Sequence, residues 1–346
     1  MPEESIGNAR RAPTPDHQPR RICHLPEYNW PALQKSRQDS QYKSTRREIQ
    51  MKRFTELLLM SSLVFGCLGT VAAQEMSQGM HQPPKVLNIL REFTKPGKAG
   101  MSHEKTESAF VEMMTAAKWP THYLAVDSMS GKPRTLFLTA YPSFEAMEKD
   151  IKAIEKDSTL LAKLDHAGVV DGELLSDTDG GDFAYREDLS LRGGTDIPHM
   201  RYFEISLFHI KPGHDKDWER LVKMYQTAFE KMPDVHWAMY EAVYGQADNS
   251  FVIFNPMKSL SEVDRGFAEG KQMETVLGEE GMKKLRELTA ETVESSQTNL
   301  FAFNPRISYI DEDWIKADPD FWKPKATHAA AKKEGMKKEE KPEAKQ

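Results

Sequence analysis

Cysteine is nearly absent: the chain has two, Cys23 and Cys67, and none after position 67. Disulfides, zinc–thiolate sites, iron–sulfur clusters and cysteine nucleophiles are therefore excluded from everything downstream. A strong charge of one sign is missing too. Lys and Arg number 47 against 53 Asp and Glu, a net charge of −6, which gives no basis for a nucleic-acid partner. No P-loop, dinucleotide fingerprint, zincin motif or nucleophile elbow occurs. The methionines form no dense Met-x-Met run in the region expected to fold, so they read as core filler. Long apolar runs are also lacking. The apolar stretch from Phe54 to Leu68 is broken by Glu56, Ser61 and Ser62 and falls short of the roughly 20 residues that span a bilayer.

That broken stretch has the anatomy of an export signal. Lys52 and Arg53 follow Met51 as a positive n-region, Phe54–Leu68 is the apolar h-region, and Val71, Ala72 and Ala73 offer small residues for cleavage before Gln74. The expectation is a periplasmic or secreted protein cleaved near Ala73, with no stable membrane span afterwards. A retained helix, or a lipoprotein anchored at Cys67, is the alternative, although Phe65 fits a lipobox poorly. Residues 1–50 are rich in Arg, Gln, Ser and Pro without apolar periodicity and are expected to be disordered. Because export signals act from the newborn N-terminus, Met51 reads as the natural initiator and residues 1–50 as not natively translated.

Downstream, the chain repeats itself. "FTKPGKAG" at Phe93 is echoed by "HIKPGHDK" at His209, "WPTHYLAV" at Trp119 by "MPDVHWAM" at Met232, and "TLFLTAYPSFEAM" at Thr135 by "SFVIFNPMKSLSEV" at Ser250. "FAYREDLSL" at Phe183 then matches "FAFNPRISY" at Phe301. Four echoes in one order at a nearly constant offset indicate two copies of one unit, residues 85–192 and 198–310.

Within each copy the elements follow one order. Val86–Phe93 and Tyr202–Ile210 read as first strands closed by Lys-Pro-Gly turns. Phe110, Met113, Met114 and Ala117, and in the second copy Trp218, Leu221, Val222, Tyr225 and Phe229, recur at helical spacing, and Pro120 and Pro233 stop these helices. His122–Asp127 and His236–Val243 read as second strands, Leu136–Tyr141 and Phe251–Asn255 as third strands. Ser143 and Ser259 are expected N-caps, Ser259 in a capping box with Glu262, and a further helical stretch from Gly281 to about Thr292 precedes the last strand.

The order strand, helix, strand, strand, helix, strand is the ferredoxin-like βαββαβ unit, an antiparallel sheet with helices on one face. Its other face needs cover, and a second copy supplies it. The predicted fold class is α+β: two tandem ferredoxin-like units packed sheet to sheet as a pseudo-dimeric α/β barrel. The duplicated units, the KPG turn, the split second helix and the aromatic last strand resemble the dimeric α/β-barrel superfamily over Lys85 to about Tyr309. That group includes antibiotic-biosynthesis-type and haem-degrading monooxygenases, chlorite dismutases and NIPSNAP-like proteins. The resemblance implies a cavity between the sheets and leaves the activity open.

Four residues are nominated for that cavity. His122 and His236 hold matching positions at the start of strand two, beside Tyr123 and Trp237, where an imidazole could orient or protonate a ligand; the alternative is a strand-end histidine bonded to a loop carbonyl and repeated only because the domain is duplicated. If Leu87, Ile89 and Phe93 face the helices, Asn88 and Glu92 face the interior, as Glu204 and Ser206 do in the second copy. Glu204 is then an interior acid or base, or a partner of Arg201. No metal-ligating set is read: His209 and His214, beside Asp215, flank a turn and lack helical pairing. The favoured function is binding of a small ligand without catalysis, with a cofactor-independent or haem-dependent monooxygenase-like enzyme as the alternative and no cofactor assigned. A monomer with an internal pseudo-dimer is expected, or a homodimer. Residues 311–346 form an extension in which Trp314, Phe321 and Trp322 could pack on the barrel before a Lys/Glu-rich, disordered tail.

Overall fold

The computed structural model describes residues 82–323. The readings of residues 1–50, of the export signal at Met51–Ala73 and of the Lys/Glu-rich tail fall outside the described residues. The first repeat runs β1 (Val86–Thr94), α1 (Met101–Ala117), β2 (Tyr123–Ser128), β3 (Arg134–Tyr141), α2 (Phe144–Lys156), α3 (Ser158–Gly172) and β4 (Leu175–Tyr185). The second runs β5 (Tyr202–Ile210), α4 (Asp215–Phe229), β6 (Ala238–Tyr244), β7 (Ser250–Met257), α5 (Ser261–Thr292) and β8 (Val293–Phe303). Two short helices, α6 (Glu312–Ala317) and α7 (Pro319–Trp322), follow. The long second helix of the unit is split at Asp157 in the first copy and kinked at Gly278, with φ of 66°, in the second.

Each repeat makes a four-stranded antiparallel sheet, β4-β1-β3-β2 and β8-β5-β7-β6. The sheets join through β2–β8 and β4–β6 into a closed eight-stranded barrel. Closure leaves no sheet edge to aggregate. This is the architecture of a dimeric α/β barrel, completed by a single chain. The turn after β1 is made by Gly97, whose φ of 77° is a conformation that glycine adopts without a Cβ clash.

The barrel interior is apolar. Leu87, Ile89, Leu124, Val126, Leu136 and Leu138 from the first repeat meet Phe203, Ile205, Val252, Phe254, Phe301 and Phe303 from the second. A second core lies between the outer face of the second sheet and its helices, where Trp218, Leu221, Val222, Leu285 and Leu288 pack on Phe251 and Met239. The C-terminal extension seals one side of the barrel: Trp322 is 1% exposed and donates from Nε1 to Pro198 O at 2.7 Å, and Asp318 pairs with Arg201.

Three sequence expectations are corrected. Leu87 and Ile89 face the interior, so Asn88 and Glu92 lie on the helix side of β1; Glu204, between the interior residues Phe203 and Ile205, likewise lies on the helix side of β5. Arg201 pairs with Asp318 and not with Glu204. Ser143 caps α2 as expected, accepting from Ala146 N–H at 3.2 Å, but the box at Ser259 is displaced. Ser259 Oγ accepts from Ser261 N–H, and Glu262 accepts from the Lys258 N–H, one residue before the predicted partner.

Candidate functional site

The interior does not fill completely. At the barrel end where β2, β3, β6 and β7 meet the C-terminal extension, a cavity of about 840 Å³ opens to the surface. Its depth is made by Leu124, Leu138, Phe203, Ala238, Tyr240 and Phe254, all buried. Two of its lining residues, Ala140 and Ala238, are small and leave space that larger side chains would fill. The mouth carries His122, Tyr141, Asp311 and Trp314.

The rim is built by hydrogen bonds to one carboxylate. Asp150 on α2 accepts from Trp119 Nε1 at 2.8 Å, Thr121 Oγ1 at 2.7 Å and Tyr141 Oη at 3.0 Å. Burial and the Asp150 charge push the Tyr141 phenol upward, so it stays a donor. His122 stacks on Tyr309, with ring centroids 4.7 Å apart and planes at 24°, and Tyr309 is fixed by donating to Trp119 O at 2.6 Å. Deeper in the cavity Tyr240 packs against Tyr185 at 5.4 Å, and burial, then the Tyr185 hydroxyl, raise its pKa. The result is an apolar, aromatic pocket with an imidazole and phenols at its polar positions.

Of the four nominated residues, His122 alone lines this cavity. His236 is held elsewhere, its Nδ1 and Nε2 each 2.9 Å from a backbone carbonyl, of Asp234 and Pro256. Asn88 donates to Asp182 Oδ1 at 2.8 Å on the outer side of the sheet. Glu204 is half-buried on the helix side, where burial raises its pKa. Tyr240 and Trp314 were missed as cavity residues, since no local pattern says that a strand and the C-terminal extension converge.

A second polar cluster lies on the outer face of the first sheet, beneath α1 and α3. His103 and Glu107, one turn apart on α1, face Glu92 of β1 and Asp171 at the end of α3. His103 Nε2 is 3.1 Å from Glu92 Oε2, 3.7 Å from Asp171 Oδ1 and 4.0 Å from Glu107 Oε1. The side chains of His103, Glu107 and Asp171 are 3%, 5% and 3% exposed. Thr106 donates to Asp171 at 2.5 Å, and Thr135, which donates to Asp127 at 2.5 Å, sits 3.5 Å from His103 Nδ1. Burial opposes charge on His103, but the bond to Glu92 and the charges of Asp171 and Glu92 overcome it and raise its pKa. Burial, with the charges of Glu92 and Asp171, pushes the Glu107 carboxyl up to about 10. The helical spacing of His103 and Glu107 was a signal in the sequence. It was passed over because Glu92 and Asp171 join it only in the fold.

No family model matches the chain, and no curated protein matches it. Among solved structures it is similar to an anthrone oxidase-like protein, at 17% identity and a TM-score of 0.44 over 64% of this chain and 92% of that one. It is also similar to a candidate monooxygenase of Fusobacterium nucleatum, at 11% identity and a TM-score of 0.42 over 64% of this chain and 93% of that one. A chlorite dismutase of Candidatus Nitrospira defluvii, in complex with imidazole, matches at 11% identity and a TM-score of 0.37 over 70% and 98%.

Proposed function

We propose that the protein binds one small, predominantly apolar molecule in the barrel cavity, with His122 and Tyr141 meeting its polar end at the mouth. The observation that carries this reading is the cavity itself. At about 840 Å³ it falls in the range of small-molecule sites, and its walls are apolar with a few convergent polar groups. Burying an aromatic or aliphatic ligand there contributes roughly 25 cal/mol per Å² of apolar surface before association costs.

A fluorophore such as anilinonaphthalene sulfonate tests this directly. The native protein should take up one molecule per chain, and Leu138→Trp, designed to fill the cavity from β3, should abolish uptake while the fold is retained. Binding unchanged in the filled variant would move the site elsewhere. His122→Ala should weaken a ligand with a polar end about 10-fold and leave a purely apolar one unaffected.

The monooxygenase-like alternative draws on one observation, that His122 is an imidazole at this cavity, placed to take or give a proton. Oxygen consumption that persists in His122→Ala would remove that role. A haem-dependent version predicts a Soret band on adding haem. We also propose export, with the chain processed near Ala73 and beginning at Gln74; an intact mass of the native protein that includes residues 1–50 would contradict it.

A further inference from the structure

The two repeats fill one structural position in opposite ways. In the second repeat, the space between β5, α4 and the end of α5 is hydrophobic core: Phe208 packs on Trp218 at 5.2 Å, and Val222, Leu285 and Leu288 complete it. In the first repeat, the strand position of Phe208 is taken by Glu92, facing Thr135 as Phe208 faces Phe251. The helical pair Trp218 and Val222 is matched by His103 and Glu107, with the same four-residue spacing and the same burial against the sheet. The fold therefore does not require polar groups here. Three carboxylates and an imidazole have been put where apolar side chains serve.

Such a group is costly unless something satisfies it. Buried carboxylates crowded together repel, and removal from water multiplies the cost. Their hydrogen bonds are incomplete: Glu107 Oε1 is buried without a hydrogen-bond partner, on a residue 4% exposed, and it points toward His103. The spacing suits a cation. Donor atoms about 2.0–2.2 Å from a metal stand about 3–4 Å from one another, and His103 Nε2 lies 3.1, 3.7 and 4.0 Å from the three carboxylate oxygens. All four donor atoms fall within 4.8 Å of each other.

We propose that Glu92, His103, Glu107 and Asp171 hold one divalent transition-metal ion through an imidazole nitrogen and three carboxylate oxygens. The imidazole selects against calcium and magnesium, which prefer oxygen alone, and the donor set suits zinc or manganese. Thr135, itself bonded to Asp127, stands at His103 Nδ1 and leaves Nε2 for the metal; Thr106 orients Asp171. The near-complete burial marks a structural ion that ties α1 and α3 to β1, the work done in the second repeat by the Phe208–Trp218 core.

The full chain, stripped with a chelator and then titrated with Zn²⁺ or Mn²⁺ alone, is the material for the test. One ion per chain is expected, with a raised melting temperature. Electron spin-echo modulation of the Mn²⁺ form should show a single histidine nitrogen. Glu107→Gln and His103→Gln, each checked for native circular dichroism in chelator, should lose at least 10-fold in affinity. A folded, stripped wild-type chain that takes up neither ion overturns the proposal. So does an Mn²⁺ signal without a nitrogen coupling, a measurement that needs no variant, or wild-type affinity in the two folded variants.

Discussion

Glu204 shows how one residue's setting alters its chemistry. Half-buried on the helix side of β5, it has a carboxyl raised by burial, so the folded state holds its proton more tightly than the unfolded chain does. The sign follows directly. Its contribution is most favourable below the unfolded carboxylate range near 4.5 and is lost as pH rises through the folded value. Glu204→Gln should therefore be more stable than the wild type at pH 7, by roughly 0.5 kcal/mol or less, and the difference should vanish near pH 4. Denaturant melts at the two pH values check this, and a destabilised variant at pH 7 would refute it. The same residue shows why strand faces were misread. Alternation in β1 and β5 was legible in the sequence, but in a barrel wrapped by helices both faces are covered, and apolar residues at alternate positions do not say which is inner. The interior took Leu87, Ile89, Phe203 and Ile205; the outer face of the first sheet took the buried charges. His122, at the start of β2, lines the cavity, whereas His236 in the matching position of the second repeat is tied to backbone carbonyls.

Among the elements, strands and first helices were the most legible, since Lys-Pro-Gly turns and helical spacing are local signals. β1 and β5 end within one residue of the predicted bounds, whereas β7 extends to Met257 despite Pro256, beyond the predicted Asn255. Convergence of distant segments was not legible. The extension of α6 and α7 shows this: its aromatics were visible, but not that Trp314 would line the cavity mouth while Trp322 is buried against Pro198 and Phe303. Trp322→Ala should destabilise the protein by about 3–5 kcal/mol, as loss of a fully buried aromatic does. Trp314→Ala, at the mouth, should instead speed ligand dissociation with little effect on melting. Stopped-flow release and thermal melts separate the two; equal effects on both would show that the extension acts only as a structural brace.

For the whole molecule, duplication was the strongest signal in the sequence, because a repeat with one uncovered apolar sheet face needs a partner and the chain supplies it. Closure runs through β2–β8 and β4–β6, so neither repeat keeps its edges or its inner face covered alone. Residues 82–196 expressed without the second repeat should self-associate or remain unfolded, and sedimentation of a stable, folded monomer would contradict the shared core. The same closure makes the cavity a property of both repeats, with Leu124 and Leu138 on one wall and Phe203, Ala238, Tyr240 and Phe254 on the other.

The most direct measurement is native mass spectrometry of the purified full chain, with an absorption spectrum, before and after incubation with a series of small apolar and aromatic molecules. The account predicts one bound molecule per chain for part of that series, retained from the cell or acquired in solution, and none in Leu138→Trp. A wild-type chain that acquires nothing across the series, or a cavity-filled variant that binds as the wild type does, would contradict it.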